Sequence, residues 1–327
     1  MLSLILEGSI VKIFVTGATG LVGSRLIPAL TARKDRVLAL SRQPLDPARF
    51  GPDCEGVLGD PATDGDWRER LAECDAIVHL AGENIGGRRW SRDVMKSIRE
   101  SRVRSTALIA ATLEKSPQRA DGSPKVWVSG SAMGYYGAHG DERLTESDPP
   151  GNDFLAQVCV DWESSTTPAR AAGVRVALSR TGHVLDGREG MLPKMARPFR
   201  LFAGGPIASG KQWMSWIHIE DMVGSLLFAL DTPTLSGPFN AVSPEPVRNR
   251  EFARILGRVL HRPYWMPVPR LALRIVVGRM AEVITTGQFV QPKCLLDLGY
   301  RFRFPQLEPA LRDLLEEKDP VSAGIPD

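Results

Sequence analysis

Cysteine is scarce and scattered. The 327-residue chain carries four, Cys54, Cys74, Cys159 and Cys294, with no C-x-x-C spacing and no neighbouring histidine cluster, so neither a zinc site nor a disulfide framework is indicated. This usage fits a reducing compartment, and a cytoplasmic location is expected. Long apolar runs are also missing. Nowhere do eighteen apolar residues follow one another, and Leu2 to Leu6 is too short for a signal-peptide core and is broken by Glu7 and Gly8. Neither export nor a membrane partner is expected. Charge of one sign is lacking as well: 41 basic and 38 acidic residues leave a formal charge of +3. No basic run carries interleaved aromatics, which argues against nucleic acid as a partner.

What remains is an ordinary globular composition, 43% hydrophobic and 24% charged, long enough for one large domain or a large and a small one. The informative stretch is Val11 to Gly23, V-K-I-F-V-T-G-A-T-G-L-V-G. Val11, Ile13, Phe14 and Val15 form the apolar, β-branched run of a buried parallel strand. Gly17, Gly20 and Gly23 then follow at three-residue intervals. The spacing predicts a tight turn at Gly17, close backbone approach of a pyrophosphate at Gly20, and close helix packing at Gly23. The amides and positive dipole end of the helix, read from Leu21 to Ala32, would face that diphosphate. The second strand, Arg36 to Leu40, ends in Ser41 and Arg42 where an NAD-preferring site places Asp or Glu. A guanidinium there suits a 2′-phosphate, and the cofactor expected is NADP(H). The competing reading of Arg42 is a solvated loop arginine.

Strands and helices alternate through the first half, which predicts an α/β fold with a doubly wound parallel sheet of Rossmann type. Further strands are read at Gly56 to Leu58, Asp75 to Leu80, Lys125 to Val128 and Val174 to Leu178. Helices are read at about Ser91 to Lys115 and Asp153 to Ala172. After Leu185, glycines and prolines punctuate shorter pieces. The expected division is a cofactor domain over residues 11–185, with 211–242 returning to it, and a smaller C-terminal capping lobe from 186–210 and 243–315. Val11 is expected as the native start, with residues 1–10 an extension and 316–327 a polar tail.

The segments T-G-A-T-G-L-V-G, D-A-I-V-H-L-A-G-E-N-I (75–85), S-G-S-A-M-G-Y-Y-G (129–137) and W-I-H-I-E-D (216–221) resemble an atypical, extended short-chain dehydrogenase/reductase. More narrowly, the chain is similar to the epimerase family proteins, a sugar-nucleotide epimerase-like group with its own small C-terminal domain. The likeness runs from Val11 to Leu315. It implies an NADP(H) site in which Thr19, Gly20, Leu21 and Val22 form the phosphate turn and Ser41 and Arg42 clamp the adenosine phosphate. It also implies Leu80 and Ala81, followed by Gly82, as a wall beside the ribose, Arg102 as a helix-borne contact, and Val184 near the nicotinamide end.

The same resemblance implies a tyrosine and a lysine four positions apart, the lysine lowering the phenol's pKa for proton transfer. That pair is absent. Tyr135, Tyr136, Tyr264 and Tyr300 are followed four residues later by His139, Gly140, Val268 and Phe304, and the helix that should carry it holds Leu155 and Cys159, or Phe154 and Val158. Ser131, Tyr135 and Tyr136 are the remaining catalytic candidates. Ser131 also reads as a turn residue and the tyrosines as core aromatics. Glu83 and Asn84, beyond the fourth strand, are candidates for orienting a substrate at the carboxyl edge of the sheet. His218 and Asp221 read as structural, with Asp221 a helix cap. Trp90, Trp213 and Trp216 are explained by burial. Two functions follow as expectations: an oxidoreductase or epimerase-like protein acting on a small carbonyl or sugar-nucleotide-like substrate, or a non-catalytic NADP(H) sensor that works through a protein partner.

Overall fold

A computed structural model describes residues 11–46 and 50–316. Its first half alternates β1 (Lys12–Thr16), α1 (Gly23–Ala32), β2 (Arg36–Ser41), β3 (Cys54–Leu58), α2 (Trp67–Ala72), β4 (Ala76–His79), α3 (Arg92–Lys115) and β5 (Val126–Ala132). A 3-10 turn (Met133–Tyr136) leads to β6 (Arg143–Leu144), α4 (Phe154–Ser164), α5 (Thr167–Ala171) and β7 (Arg175–Thr181). Seven parallel strands form the main sheet in the order β3-β2-β1-β4-β5-β7, closed at the edge by β11 (Gly237–Ala241). The order reverses between β1 and β4, and ligands of such sheets bind at the carboxyl ends beside that switch.

The strands are buried on both faces because alternate residues feed two cores. Ile13, Val15, Val37, Ala39, Ala76, Val78, Val126, Val128 and Ala177 pack with α1 and with α7 (Ile219–Asp231) on one side. Phe14, Leu38, Leu40, Ile77, Trp127, Val176 and Leu178 pack on the other with Trp67 and Leu71 of α2 and Ile109, Ala110 and Leu113 of α3. The single helix expected over 153–172 is two, α4 and α5, separated at Ser165–Thr166. β5 and β7 also run several residues beyond the expected ends, since Gly130 to Ala132 continue the ladder against Ser179 to Thr181.

After β7 the chain forms β8 (His183–Leu185), α6 (Met191–Arg200), β9 (Trp213–Met214) and β10 (Trp216–His218), then returns through α7 to β11. It leaves again as β12 (Val247–Arg248), α8 (Asn249–Val259), α9 (Arg270–Val277), α10 (Met280–Thr285), β13 (Phe289–Val290), α11 (Lys293–Asp297) and α12 (Leu307–Leu315). A separate core joins Leu185, Leu192, Phe199, Met214, Trp216, Phe252, Leu256, Leu307 and Leu311. The two cores draw on interleaved parts of the chain. Met214 and Trp216 belong to the smaller core, while Leu295 packs in the larger one with Tyr300 and Phe302 against it. Residues 1–10 and 317–327, which hold the expected extension and most of the polar tail, lie outside the described residues.

Candidate functional site

The turn after β1 is built by three glycines with different constraints. Gly17 has φ +73°, and a Cβ on it would lie 2.7 Å from the carbonyl carbon of Leu80, so only glycine lets the turn sit against the end of β4. A Cβ on Gly23 would stand 2.2 Å from the Gly17 carbonyl oxygen, so that position sets how closely α1 approaches the turn. Gly20 is exposed, and the nearest atom a Cβ would meet is the Gly17 oxygen at 3.3 Å. The outer face of this turn is therefore bare backbone. The Gly20 amide donates to the Gly17 carbonyl at 3.0 Å, whereas the amides of Leu21, Val22 and Gly23 find no acceptor among the described residues. Val22 caps α1 without a side-chain bond, and the first turn carries no acidic residue. Orphan amides at the start of a helix whose own first turn carries no carboxylate fit an anion.

The neighbouring strand ends converge on this turn. Thr16 of β1 pairs with Leu40 of β2 and His79 of β4. The Leu80 amide donates to the Thr16 carbonyl at 3.2 Å, and the Ala81 amide to Thr16 Oγ1 at 3.3 Å. Ser41 closes β2, its hydroxyl accepting from the Gln43 amide at 3.3 Å, and Arg42 is exposed beyond it. Arg102 of α3 reaches the end of β4: a Cβ on Gly82 would lie 3.1 Å from its guanidinium carbon. The guanidinium donates to the carbonyls of Ile98 at 3.0 Å and Glu83 at 3.1 Å, and lies 5.2 Å from the Trp162 ring centre. It forms no ion pair among the described residues, and burial pulls its pKa down. A desolvated cation held by neutral partners is a second place suited to an anion. Val184 of β8 packs at the margin of the larger core. The Asp186 carboxylate that follows it is paired with Arg25 of α1 at 2.9 Å.

The three catalytic candidates fare differently. Ser131 is buried, and its hydroxyl donates to Glu163 Oε1 at 2.6 Å. Glu163 in turn receives Arg180 through Nε at 2.8 Å and a second nitrogen at 2.9 Å, a buried two-pronged pair. Arg180 also donates to the Tyr136 hydroxyl at 3.1 Å, and that hydroxyl donates to Asn240 Oδ1 at 2.7 Å. Tyr136 is fully buried and burial pushes its phenol up to about 12, the wrong direction for an acid at neutral pH. Ser131 and Tyr136 thus belong to a polar network that joins β5, α4, β7 and β11. Tyr135 differs. It is half-buried, the Arg180 guanidinium lies 3.4 Å from its ring centre, and its hydroxyl makes no hydrogen bond among the described residues.

Comparison with known proteins decides the family. The profile of the NAD dependent epimerase/dehydratase family matches residues 13–242, and that of a domain of unknown function, DUF1731, matches 268–314. The chain belongs to the NAD dependent epimerase/dehydratase family. Among its relatives is the epimerase family protein SDR39U1 homolog, chloroplastic, of Arabidopsis thaliana, 39% identical over 92% of this chain and 86% of that protein. Epimerase family protein SDR39U1 of Homo sapiens is 36% identical over 93% of this chain and 99% of its own length. A crystal structure of the human protein (isoform 2) with NADPH superposes with a TM-score of 0.81 at 34% identity, covering 93% of this chain and 99% of that one.

Within this epimerase family frame, the helix face that would hold the tyrosine and lysine is apolar. A Cβ on Gly134 would lie 3.4 Å from Leu155 Cβ and 3.9 Å from Cys159 Sγ, so α4 presses directly onto the 3-10 turn. Burial pushes the Cys159 thiol up to about 12, so no base stands there. Of the two substrate candidates, Glu83 is paired with Arg88 at 2.8 Å, and Asn84 is exposed with its side chain accepting from the Gly86 amide at 2.9 Å. Asp221 is not the cap of α7. His218 is, its Nδ1 accepting from the Glu220 amide at 3.1 Å. The Asp221 carboxylate instead accepts from the amides of Arg303 at 2.7 Å and Phe304 at 2.8 Å and ties down the C-terminal segment. Trp216 is fully buried in the smaller core, Trp90 is nearly so, and Trp213 lies against Phe289 at 4.5 Å.

Two features escaped the sequence reading. His79 reads as part of an apolar strand, yet its Nδ1 lies 2.6 Å from Thr16 Oγ1, at the end of β1, and its Nε2 lies 3.0 Å from Ser105 Oγ. A lone imidazole in the run A-I-V-H was the available signal. The Glu163–Arg180 pair joins residues seventeen apart on different elements, and neither sits in a motif.

Proposed function

We propose that the protein binds NADP(H) at the carboxyl edge of its sheet and acts as an oxidoreductase or epimerase-like protein on a small carbonyl or sugar-nucleotide-like ligand. The observation that carries this reading is the bare turn at Gly17–Gly23, with unclaimed amides at Leu21, Val22 and Gly23. Thr19 and Gly20 are exposed on that turn, and Arg42 stands exposed on the adjacent strand tip for a 2′-phosphate, beside the Ser41 hydroxyl. Leu80 and Ala81 border the turn, with Gly82 next in the chain, Arg102 brings a cation without an ion-pair partner among the described residues, and Val184, at the margin of the larger core, is assigned to the nicotinamide end. NADPH in the human relative's crystal structure supports the same choice.

When bound, the nicotinamide supplies or accepts a hydride. A carbonyl reduced there needs a proton, and Tyr135 is the candidate whose hydroxyl is not already committed. Glu83 and Asn84 are proposed to orient the ligand. The apolar Leu155 and Cys159 face favours a second reading, a sensor that binds NADP(H) without turning over and signals through a protein partner.

Replacing Arg42 by alanine is expected to weaken NADPH binding by about 1.5–3 kcal/mol, the scale of a charge-assisted contact, and to leave NADH almost unchanged. Calorimetric titration with both nucleotides checks this. Equal losses for the two would reject the clamp. The enzyme and the sensor separate on turnover: consumption of NADPH with a member of a carbonyl panel, reduced by Tyr135→Phe, supports the enzyme, whereas tight binding without turnover supports the sensor.

A further inference from the structure

Seven of the nine exposed large apolar side chains among the described residues fall in two short segments: Leu201 and Phe202 after α6, and Tyr264, Trp265, Met266, Leu271 and Ile275 up to and within α9. Four are about two-thirds exposed or more: Leu201 at 69%, Trp265 at 65%, Leu271 at 71% and Ile275 at 68%. The two segments adjoin. The Met266 amide donates to the Gly204 carbonyl at 3.0 Å, the Ala208 amide to the Val268 carbonyl at 2.9 Å, and Arg262 lies 4.7 Å from the Phe202 ring centre. Apolar groups this exposed and this close together mark a surface that meets something other than water.

The charge around them names the chemistry. Residues 190–219 contain no Asp or Glu, and residues 252–281 contain none either. The first stretch carries Lys194, Arg197 and Arg200, all exposed along α6, which Leu201 directly follows. The second carries six arginines, of which Arg270 and Arg274 are exposed on α9 beside Leu271 and Ile275. The chain as a whole is nearly balanced, so these acid-free stretches are a local choice; Arg254 and Arg258 are paired with Glu251 and Glu308 from outside them, whereas Arg270 and Arg274 form no ion pair among the described residues. Exposed aliphatic and tryptophan side chains with exposed basic residues on the same elements match the boundary of an anionic bilayer, where the apolar groups enter the acyl region and the cations meet headgroup phosphates. Nucleic acid would use the arginines but leave Leu201, Leu271 and Ile275 in water.

We propose that this face of the smaller lobe rests on the surface of a membrane rich in anionic lipid. No helix among the described residues is long and apolar enough to cross one, and a surface contact needs none.

The full chain mixed with phosphatidylglycerol vesicles is expected to sediment with them, at least tenfold more than with phosphatidylcholine vesicles, and to be released by high salt. Leu271→Glu combined with Ile275→Glu should abolish sedimentation while NADPH binding, the check on folding, is kept. Arg270→Gln combined with Arg274→Gln should weaken it and flatten its salt dependence. Three results would overturn the proposal: no sedimentation with phosphatidylglycerol, sedimentation that the Leu271/Ile275 variant retains, or a dimer in light scattering that this variant dissociates, which would assign the face to a second copy.

Discussion

Glu163→Ala is expected to lower folding stability by about 3–5 kcal/mol, the largest single-site loss anticipated in this chain. The magnitude comes from what is left behind. Arg180 is 3% exposed, and Glu163 supplies both of its charged hydrogen bonds. Without the carboxylate, a guanidinium stays buried with only the Tyr136 hydroxyl and the Glu146 carbonyl as acceptors, and Ser131 loses its acceptor too. The network crosses from β5 to β11, so damage spreads across one half of the sheet. Urea denaturation of the parent, Glu163→Ala and Glu163→Gln measures the effect. The glutamine variant, which keeps shape and some hydrogen bonding, should fall between the other two. A loss below about 1 kcal/mol for alanine would mean that the pair is solvated.

Acid is expected to unfold the protein through His79. This imidazole is fully buried, and burial, with the Arg102 charge as a lesser cause, pulls its pKa from the ordinary 6.5 down to about 3. The hydrogen bonds agree with a neutral ring. Ser105 Oγ lies 2.7 Å from the Ser101 carbonyl, to which it donates, so it accepts from His79 Nε2, and Nδ1 accepts from Thr16. In the unfolded chain the ring takes up a proton near pH 6.5; in the folded chain it resists until about pH 3. The folded state therefore binds fewer protons across this window, and its stability, complete above 6.5, declines as pH falls. The slope approaches about 1.4 kcal/mol per pH unit below the unfolded pKa, roughly 2.3 kcal/mol between pH 6.5 and 4.5. Denaturation at several pH values, repeated on His79→Gln, isolates the contribution. The variant should start less stable and show a slope shallower by about one proton. Identical slopes would show that the ring is protonated in the native state.

The contrast between these residues explains what the sequence made legible. The glycine turn after β1 is legible because its constraints are local: a positive φ at Gly17 and a close contact at Gly23 require glycine, and the apolar run before it makes a buried strand. The doubly wound parallel sheet is legible in the alternation of strands with helices. The roles of Ser131 and Tyr136 were not readable, because a hydroxyl beside a cleft and a hydroxyl bonded to a buried carboxylate look alike until Glu163 and Asn240 are brought in from elsewhere in the chain. The same holds for Asp221, whose acceptor role depends on Arg303 and Phe304, more than eighty residues downstream. Motifs disclose what backbone geometry demands. Side-chain partnerships across elements do not leave a periodic trace.

The route of the chain between β7 and β11 has a mechanical outcome. Because the peptide leaves the main sheet, builds part of the second core, returns to complete the sheet and departs again, several covalent crossings stitch the two cores together. Such crossings couple the loss of one core to the loss of the other. Scanning calorimetry should accordingly record a single endotherm, with no early transition belonging to the C-terminal half.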